Sequence, residues 1–256
     1  MSLSDLFSLK DRVALVTGSS RGLGWAMAQA LSQAGAHVVL NSRNAQDLAP
    51  RVADIQEAGG TATIAAFDVT DAPAIEAAVA GIEQQFGRLD IVVNNAGIVS
   101  RNLLHDLTEA DWDSVIDTDL TACFRLAKVA SRVMVRRKWG RIVNISSVMG
   151  QIARPSIAPY IASKSGVHGL TRALAVELGP FGINVNCIGP GFYPGAQNEV
   201  VRRDKVFYDA ISKRAPLGRW GIPSELAGAV IYFASPASSF CTGQVLMIDG
   251  GMTIAL

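Results

Sequence analysis

An apolar strand runs into a glycine loop in Val13-Ala14-Leu15-Val16-Thr17-Gly18-Ser19-Ser20-Arg21-Gly22-Leu23-Gly24. Glycines in such a loop take positive φ values and let the backbone approach a ligand closely. The helical pattern that begins near Gly22 directs its free N–H groups and its positive dipole end at an anion. A strand, a glycine loop and a helix in this order predict a dinucleotide phosphate site, formed by Gly18, Ser20, Arg21, Gly22 and Leu23. The alternative is an ordinary glycine turn without a ligand.

Strand and helix patterns alternate along the rest of the chain. Near-continuous apolar strands between helices predict a parallel sheet that is covered on both faces. Strands are expected at Val13–Val16, His37–Leu40, Thr61–Phe67, Leu89–Val93, Arg141–Ile145, Ile183–Ile188 and Gln244–Ile248. Helices are expected at Trp25–Ala34, Leu48–Ala58, Pro73–Phe86, Trp112–Val135, Tyr160–Leu178 and Pro223–Ala234.

These elements predict a single α/β domain over residues 1–256, of the doubly wound Rossmann type with seven strands. The segment Gly189–Arg214 breaks the alternation with two Pro-Gly pairs and a polar helical piece. An insertion after the carboxyl end of a strand is where such sheets place ligand-covering loops. We therefore expect a substrate lid at about 189–214.

Composition excludes several classes of function. Lys plus Arg total 23 and Asp plus Glu total 22, which argues against nucleic-acid and membrane partners. Three scattered cysteines predict no disulfide framework, and no Cys or His spacing predicts a metal site. The first ten residues lack a signal-peptide pattern, and no apolar run approaches the ~18 residues of a membrane span. We expect a cytoplasmic, reduced protein.

The end of the second strand distinguishes between two nicotinamide cofactors. NAD sites place an acidic residue there for the ribose 2′-OH, whereas NADP sites place a cation for the 2′-phosphate. This chain has Asn41-Ser42-Arg43 and no acidic residue before Asp47. Arg43 can bind a phosphate with two parallel N–H bonds, and Arg21 can reach the same group. The sequence favours NADP(H) over NAD(H), unless both arginines are only solvated surface residues.

A tyrosine and a lysine form a candidate acid–base pair. Tyr160 and Lys164 are four residues apart on a helical pattern and so share one face. A phenol with a pKa near ~10 is a poor proton donor at neutral pH, and a nearby cation lowers that pKa. Ser147, just after the fifth strand, offers a hydroxyl that can stabilise charge on a substrate oxygen. A helix with an unrelated tyrosine and lysine is the alternative.

Several motifs together resemble the short-chain dehydrogenase/reductase family. They are the Thr-Gly-x3-Gly-x-Gly loop, Asp68-Val69, Asn94-Asn95-Ala96-Gly97, then Ser147, Tyr160 and Lys164, and Pro190-Gly191. The resemblance implies a sheet in the order 3-2-1-4-5-6-7 and a homotetramer. It also implies that Asp68 and Val69 hold the adenine, that Asn95, Ala96 and Gly97 line the cofactor, and that Pro190 and Gly191 lie beside the nicotinamide.

By the same resemblance, Tyr160 exchanges a proton with the substrate oxygen, Lys164 tunes Tyr160 and binds the nicotinamide ribose, and Ser147 orients the substrate. Within the family the chain is most similar to gluconate 5-dehydrogenases. The similarity is carried by five segments: Asp5–Leu9, Ala153–Tyr160, Lys213–Pro216, Gly218–Gly221 and Gln244–Gly251.

Two residues depart from the family pattern. Asp119 takes the place of an asparagine that usually completes the catalytic group. A carboxylate there is expected to pair with Lys164 and to weaken its effect on Tyr160. Gly195 takes the place of a threonine that usually bonds the nicotinamide carboxamide, so the lid is expected to differ.

Substrate contacts are expected from Arg101, Arg154 and Tyr193. Either guanidinium can bind a carboxylate in bidentate geometry, and Tyr193 can bond a hydroxyl. His168 is expected to be a packing or surface residue. The expected function is NADP(H)-dependent interconversion of a secondary alcohol and a ketone on a small sugar acid.

Two alternatives remain. One is a 3-oxoacyl-thioester reductase, for which Arg132, Arg136, Arg137 and Lys138 could form a basic patch for an acidic carrier protein. The other is a cofactor-binding protein with little turnover, which the departures at Asp119 and Gly195 favour.

Overall fold

A parallel sheet of seven strands lies at the centre of the molecule. The structure is a computed structural model and describes residues 2–195 and 198–255. The strand order is β3-β2-β1-β4-β5-β6-β7, which confirms the expected topology. The strands are β1 Val13–Val16, β2 His37–Leu40, β3 Thr61–Ile64, β4 Ile91–Asn94, β5 Gly140–Ile145, β6 Ile183–Pro190 and β7 Val245–Ile248.

Helices cover both faces of this sheet, also as expected. They are α1 Leu3–Phe7, α2 Gly22–Gln33, α3 Ala49–Glu57, α4 Ala72–Phe86, α5 Glu109–Ile116, α6 Ala122–Arg137, α7 Ala158–Leu178, α8 Glu199–Arg203, α9 Lys205–Arg214 and α10 Ala227–Ala234. Among the described residues, no helix combines the length and apolar character of a membrane span.

Alternate residues of β1 show how the two layers are built. Ala14 and Val16 belong to the apolar cluster with α2 and α10, which includes Phe233. Val13 and Leu15 point to the opposite face and belong to the cluster with α4 and α6. All four β1 residues are buried, because a parallel strand is covered on both sides. Truncating a fully enclosed side chain such as Phe233 to alanine costs about 3–5 kcal/mol.

The predicted helix Trp112–Val135 is interrupted by a wider turn. Residues Asp117–Thr121 form a π-helical turn, in which the Ala122 N–H donates to the Asp117 carbonyl. Such turns carry an extra residue, which a sequence pattern with a period of 3.6 does not reveal. The turn carries Asp119, whose side chain is completely buried. Elsewhere, Pro223–Leu226 forms a 3-10 turn in front of α10, where one continuous helix was expected.

The segment 189–214 contains the end of β6, then α8 and α9. Aromatic rings hold α9 against the body of the protein. Trp220 stacks on Tyr208 with 5.0 Å between ring centroids, and Phe192 lies 5.8 Å from Phe207. The role of this segment as a lid stays a prediction.

Candidate active site

A cavity of about 540 Å³ opens at the carboxyl ends of the central strands. It contains every residue that the sequence predicted to contact the cofactor: Gly18, Ser20, Arg21, Gly22, Leu23, Ser42, Arg43, Asp68, Val69, Asn95, Ala96, Gly97, Tyr160, Lys164, Pro190 and Gly191. Ser147, Arg101, Arg154 and Tyr193 line the same cavity. Asp119 lies behind its wall, because its side chain is fully buried.

The glycine loop has the geometry of a phosphate cradle. Gly18 and Gly22 have φ values of +62° and +61°, which glycine adopts without strain. A Cβ at Gly24 would lie 2.3 Å from the Gly18 carbonyl oxygen, so α2 can approach the loop this closely only at a glycine. Arg21 is the N-cap residue of α2, and its side chain makes no capping hydrogen bond. The first N–H groups of the helix therefore remain available at its N-terminal end, next to the glycine loop. The loop thus fits an anionic group.

Side chains at the strand ends fix this loop in place. Thr17 Oγ1 accepts hydrogen bonds from the Asn95 and Ala96 N–H groups, at 2.9 and 3.0 Å. Asn95 Nδ2 donates in return to the Thr17 carbonyl, at 2.8 Å. Asn41 donates from β2 to the carbonyls of Ala65 and Phe67. Sequence reasoning missed Thr17 and Asn41, although both are polar residues directly after apolar strands.

Two arginines stand at the rim where the second strand ends. Arg43 and Arg21 are both exposed. Asp68 lies nearby, and its pKa is lowered by the hydrogen bond from the Thr70 N–H and also by the positive charge of Arg43. The rim thus offers cations that can bind a phosphate. Arg51, which sequence reasoning missed, donates from Nε to the Ser20 carbonyl at 3.0 Å and so supports the loop from α3.

Tyr160, Lys164 and Ser147 come together at the inner end of the cavity. Lys164 Nζ lies 5.4 Å from the centroid of the Tyr160 ring and donates to the Ile145 carbonyl at 3.2 Å. Ser147 Oγ accepts from the Met149 N–H at 3.2 Å and interacts with the Tyr160 hydroxyl. These contacts place the phenol, the ammonium group and the hydroxyl around one point of the cavity.

Burial outweighs the lowering of the Tyr160 pKa that the nearby lysine is expected to cause. Desolvation by the surrounding protein raises the pKa of Tyr160, and the positive charge of Lys164 only partly offsets it. The negative charge of Asp119 raises the pKa further, against the smaller lowering effects of Ser147 and Arg101. The sequence pattern shows the cation but not how far burial opposes it.

Asp119 and Lys164 form a buried ion pair. Lys164 Nζ lies 3.1 Å from Asp119 Oδ2, and the two side chains are 5% and 0% exposed. Asp119 Oδ1 accepts from the Ile98 N–H at 2.7 Å. Burial lowers the pKa of Lys164, but the charges of Asp119 and the Tyr160 phenol outweigh this and raise it overall. The pairing expected from the sequence is thus present.

Two guanidinium groups face the same cavity. Arg101 and Arg154 both have a pKa lowered by burial, and the charge of Arg101 lowers that of Arg154 further. Arg154 Cζ lies 5.1 Å from the centre of the Phe207 ring on α9. Because Arg101 also interacts electrostatically with Tyr160, the positive charge lies close to the candidate acid–base group. A cavity with two adjacent cations favours an anionic ligand.

Tyr193 does not offer a hydrogen donor to a ligand, contrary to the sequence-based expectation. Its hydroxyl donates to the Ile248 carbonyl at 3.0 Å, and its side chain is buried. The ring packs so tightly on Gly221 that a Cβ there would lie 2.4 Å from it. Tyr193 therefore holds the segment after β6 to the end of β7.

Known proteins resemble the chain over its whole length. A family model described as enoyl-(acyl carrier protein) reductase matches residues 18–253. Gluconate 5-dehydrogenase of Gluconobacter oxydans is 45% identical over 256 residues, which are 100% of each chain. The chain belongs to the short-chain dehydrogenase/reductase family.

Two further members of this family are relevant to the site. A crystal structure of a gluconate 5-dehydrogenase from Burkholderia cenocepacia in complex with NADP and tartrate has a TM-score of 0.97, with 40% identity over 100% of each chain. A 3-oxoacyl-(acyl-carrier-protein) reductase from Synechocystis is 39% identical over 249 residues, which are 96% of this chain and 99% of the relative.

One departure from the short-chain dehydrogenase/reductase pattern lies at the mouth of the cavity. Gly195 lines it, and a Cβ added there would meet no described atom within 4 Å. The described residues therefore leave space for a Cβ at this position. The neighbouring residues 196–197 lie outside the described part of the chain.

The basic patch that a carrier protein would need is partly neutralised. Arg132 pairs with Glu76 at 3.6 Å, and Arg136 pairs with Glu83. Arg137 donates to the Gly87 carbonyl at 3.4 Å. These contacts tie α6 to α4 and reduce the positive charge that this surface presents.

His168 and the buried cysteines are packing residues. His168 Nε2 lies 2.8 Å from Ser146 Oγ, which in turn donates to the Lys164 carbonyl at 3.0 Å. Burial raises the pKa of the Cys123 and Cys187 thiols to about 12, so both stay protonated and unreactive at neutral pH. No cluster of three or more potential metal ligands occurs within residues 2–195 and 198–255.

Proposed function

We propose that this protein is an NADP(H)-dependent oxidoreductase that interconverts a secondary alcohol and a ketone on a small sugar acid of the gluconate/5-ketogluconate type. One observation carries the proposal: Ser147, Tyr160 and Lys164 face the same cavity as the cations Arg101 and Arg154. The similarity to gluconate 5-dehydrogenases supports the same substrate class.

The cavity fits a nicotinamide dinucleotide. The cradle formed by Gly18 and Gly22 and the start of α2 would hold the pyrophosphate. Arg43 and Arg21 would bind the 2′-phosphate, which favours NADP(H) over NAD(H). Asp68, Val69, Asn95, Ala96, Gly97, Pro190 and Gly191 would line the rest of the cofactor. When bound, NADPH supplies the hydride that adds to the carbonyl carbon.

The protein itself moves the proton. In reduction Tyr160 Oη gives its proton to the carbonyl oxygen, and in oxidation it takes the proton of the alcohol. The ammonium group of Lys164 stabilises the phenolate that remains after reduction. Ser147 Oγ is oriented by the Met149 N–H and donates its own hydrogen to the substrate oxygen, where negative charge develops.

The arginines fix the orientation of the substrate. A carboxylate between Arg101 and Arg154 would form charge-assisted hydrogen bonds, each worth about 1.5–3 kcal/mol. The sugar acid would then lie with its keto carbon toward Tyr160. An uncharged ketose gains none of this energy, so acids should be strongly preferred.

A second candidate is the reduction of 3-oxoacyl thioesters on a carrier protein. The 39% identity to a reductase of that class favours it. Two observations argue against it. Arg132 and Arg136 are paired with glutamates, which reduces the positive charge available to an acidic carrier. The cavity contains two arginines, which do not suit an apolar acyl chain. As in its family, we also expect this chain to act as a homotetramer in the cytoplasm.

The test measures NADPH oxidation, with NADH in parallel, against 5-ketogluconate, neutral ketoses and an acetoacetyl thioester. We expect turnover of the keto acid with NADPH and its loss in Tyr160→Phe. Tyr232→Phe on α10 is the matched control and should retain activity. Turnover of the thioester alone would establish the second candidate. Binding of NADPH without turnover of any ketone would refute both and indicate a cofactor-binding protein.

A further inference from the structure

A buried ion pair between Asp119 and Lys164 lies beside the candidate active site. Asp119 places one carboxylate oxygen on the Ile98 N–H and turns the other toward Lys164 Nζ, at 2.7 and 3.1 Å. The Ile98 N–H hydrogen-bonds one oxygen, whereas the other lies at ion-pair distance from the ammonium group and accepts no hydrogen bond from the described residues. The π-helical turn Asp117–Thr121 brings this side chain into the protein interior.

Both members of the pair are nearly free of solvent screening. The Asp119 side chain is 0% exposed and that of Lys164 is 5% exposed. Gly97 packs closely on the carboxylate, since a Cβ added there would lie 3.1 Å from Asp119 Oδ2. In such surroundings a charge acts strongly over several ångströms. The carboxylate therefore offsets part of the effect by which the ammonium group favours the Tyr160 phenolate.

The other described titratable groups around Tyr160 supply no negative charge that could act on the phenol as Asp119 does. Cys123 on α6 and Cys187 on β6 are buried thiols whose pKa is raised to about 12. Arg101 faces the phenol from the segment after β4, and Arg154 faces Arg101; both stay cationic. Among the described groups that act on the phenol, Asp119 is the one whose negative charge raises the pKa of Tyr160. Burial raises the pKa of Asp119 itself, whereas the positive charge of Lys164 and the hydrogen bond from the Ile98 N–H favour its ionised form.

We propose that Asp119 is a positioning residue that pairs with Lys164, offsets part of its positive charge, and thereby keeps Tyr160 in its proton-donating form up to a higher pH than an uncharged residue would allow. The inference rests on the proposed function of Tyr160 as the acid–base group. The same arrangement favours one direction of the reaction. At neutral pH the protonated phenol can donate the proton that ketone reduction consumes, whereas alcohol oxidation requires the phenolate.

Two substitutions in one turn separate this charge effect from a structural one. Asp119→Asn removes the charge with almost no change of shape. Asp117→Asn is the matched control, because Asp117 lies on the same π-helical turn but pairs with Arg125 at 2.8 Å, and it is 37% exposed. If Asp119→Asn does not fold, Asp119→Ser is the second uncharged variant. Asp119→Glu tests whether charge alone suffices.

The first readout needs neither cofactor nor turnover. The chain contains four tyrosines, so ζ-¹³C-labelled tyrosine gives four NMR signals, and Tyr160→Phe identifies the one from Tyr160. We expect Tyr160 to titrate lower by about one pH unit or more in Asp119→Asn, the lower end of the range of about 1–3 units by which a neighbouring charge shifts a pKa. Asp117→Asn should titrate with the wild type. Equal titration of Tyr160 in Asp119→Asn and the wild type would overturn the proposal.

The second readout is the alkaline limb of kcat/KM for reduction of 5-ketogluconate. It should move to lower pH in Asp119→Asn by the same amount as the tyrosine signal. A fall in activity with an unmoved limb would show a merely structural role and refute the inference. Absence of turnover in every variant would refute the proposed function instead, while the tyrosine titration still decides the role of Asp119.

Discussion

The close contact between Gly24 on α2 and the Gly18 carbonyl predicts what a methyl group added at Gly24 would do. In Gly24→Ala the new Cβ would lie 2.3 Å from the Gly18 carbonyl oxygen and 2.4 Å from Asn95 Nδ2. These two atoms are fixed by hydrogen bonds, since Asn95 Nδ2 donates to the Thr17 carbonyl at 2.8 Å and to the Gly18 carbonyl at 3.1 Å. The methyl group can therefore fit only if the loop moves away from α2, which disturbs the cradle.

The matched control is Gly81→Ala. Gly81 lies inside α4, is exposed, and a Cβ there would meet no described atom within 4 Å. This substitution should stabilise the protein by about 0.5–1 kcal/mol, since alanine is the better helix former. Relative to this control, Gly24→Ala should lose about 1–3 kcal/mol through overpacking. For a chain of this size that corresponds to a Tm difference of about 2–12 °C.

Differential scanning fluorimetry and a titration of NADPH fluorescence measure both consequences. We expect Gly24→Ala to melt below Gly81→Ala and to bind NADPH at least about tenfold more weakly, a loss of ~1.4 kcal/mol. Gly81→Ala should bind like the wild type. Equal Tm values and equal affinities in the two variants would show that the loop accommodates the methyl group without moving.

Three further outcomes follow from side chains around the cavity. Replacing Arg101 or Arg154 with alanine should raise KM for the keto acid by about 10–150-fold, the loss of one charge-assisted contact, while KM for a neutral ketose stays unchanged; equal effects on both substrates would contradict the carboxylate site. Arg43→Ala should weaken NADPH binding by at least about tenfold and leave NADH binding unaltered, as isothermal titration would show; a parallel loss for both cofactors would rule out the phosphate contact. Burial, aided by Arg172, lowers the pKa of His168, so the unfolded chain takes up the proton more readily and stability falls as pH drops through about 6.5. In His168→Asn, urea unfolding should show a weaker dependence on pH between 7 and 5, and an unchanged dependence would disprove the assignment.

The sequence predicts those parts of the site that local chemistry determines. The glycines at 18, 22 and 24 are required by backbone angles or close approach within a dozen residues, and helical spacing alone places Tyr160 and Lys164 on one face. The alternation of strands and helices predicts the two-layered cover of the sheet. The strand order was expected from the family resemblance rather than from periodicity.

Long-range packing explains what the sequence does not predict. Tyr193 looked available for a substrate hydroxyl, but its partner Ile248 is 55 residues away in the chain and becomes a neighbour only when β6 and β7 pair. The raised pKa of Tyr160 depends on desolvation, which a motif does not show. The polar residues Thr17 and Asn41 acquire their partners only when the ends of β1, β2, β3 and β4 meet at one edge.

In the proposed reaction this protein reduces a keto sugar acid by hydride transfer, with a proton from Tyr160. The most direct measurement incubates the enzyme with 5-ketogluconate and NADPH deuterated at the transferred position, and follows the product by NMR. We expect the wild type to give a sugar acid with deuterium on the former carbonyl carbon, and Tyr160→Phe to give almost none. A product without deuterium, or equal labelling by both proteins, would contradict the proposed reaction.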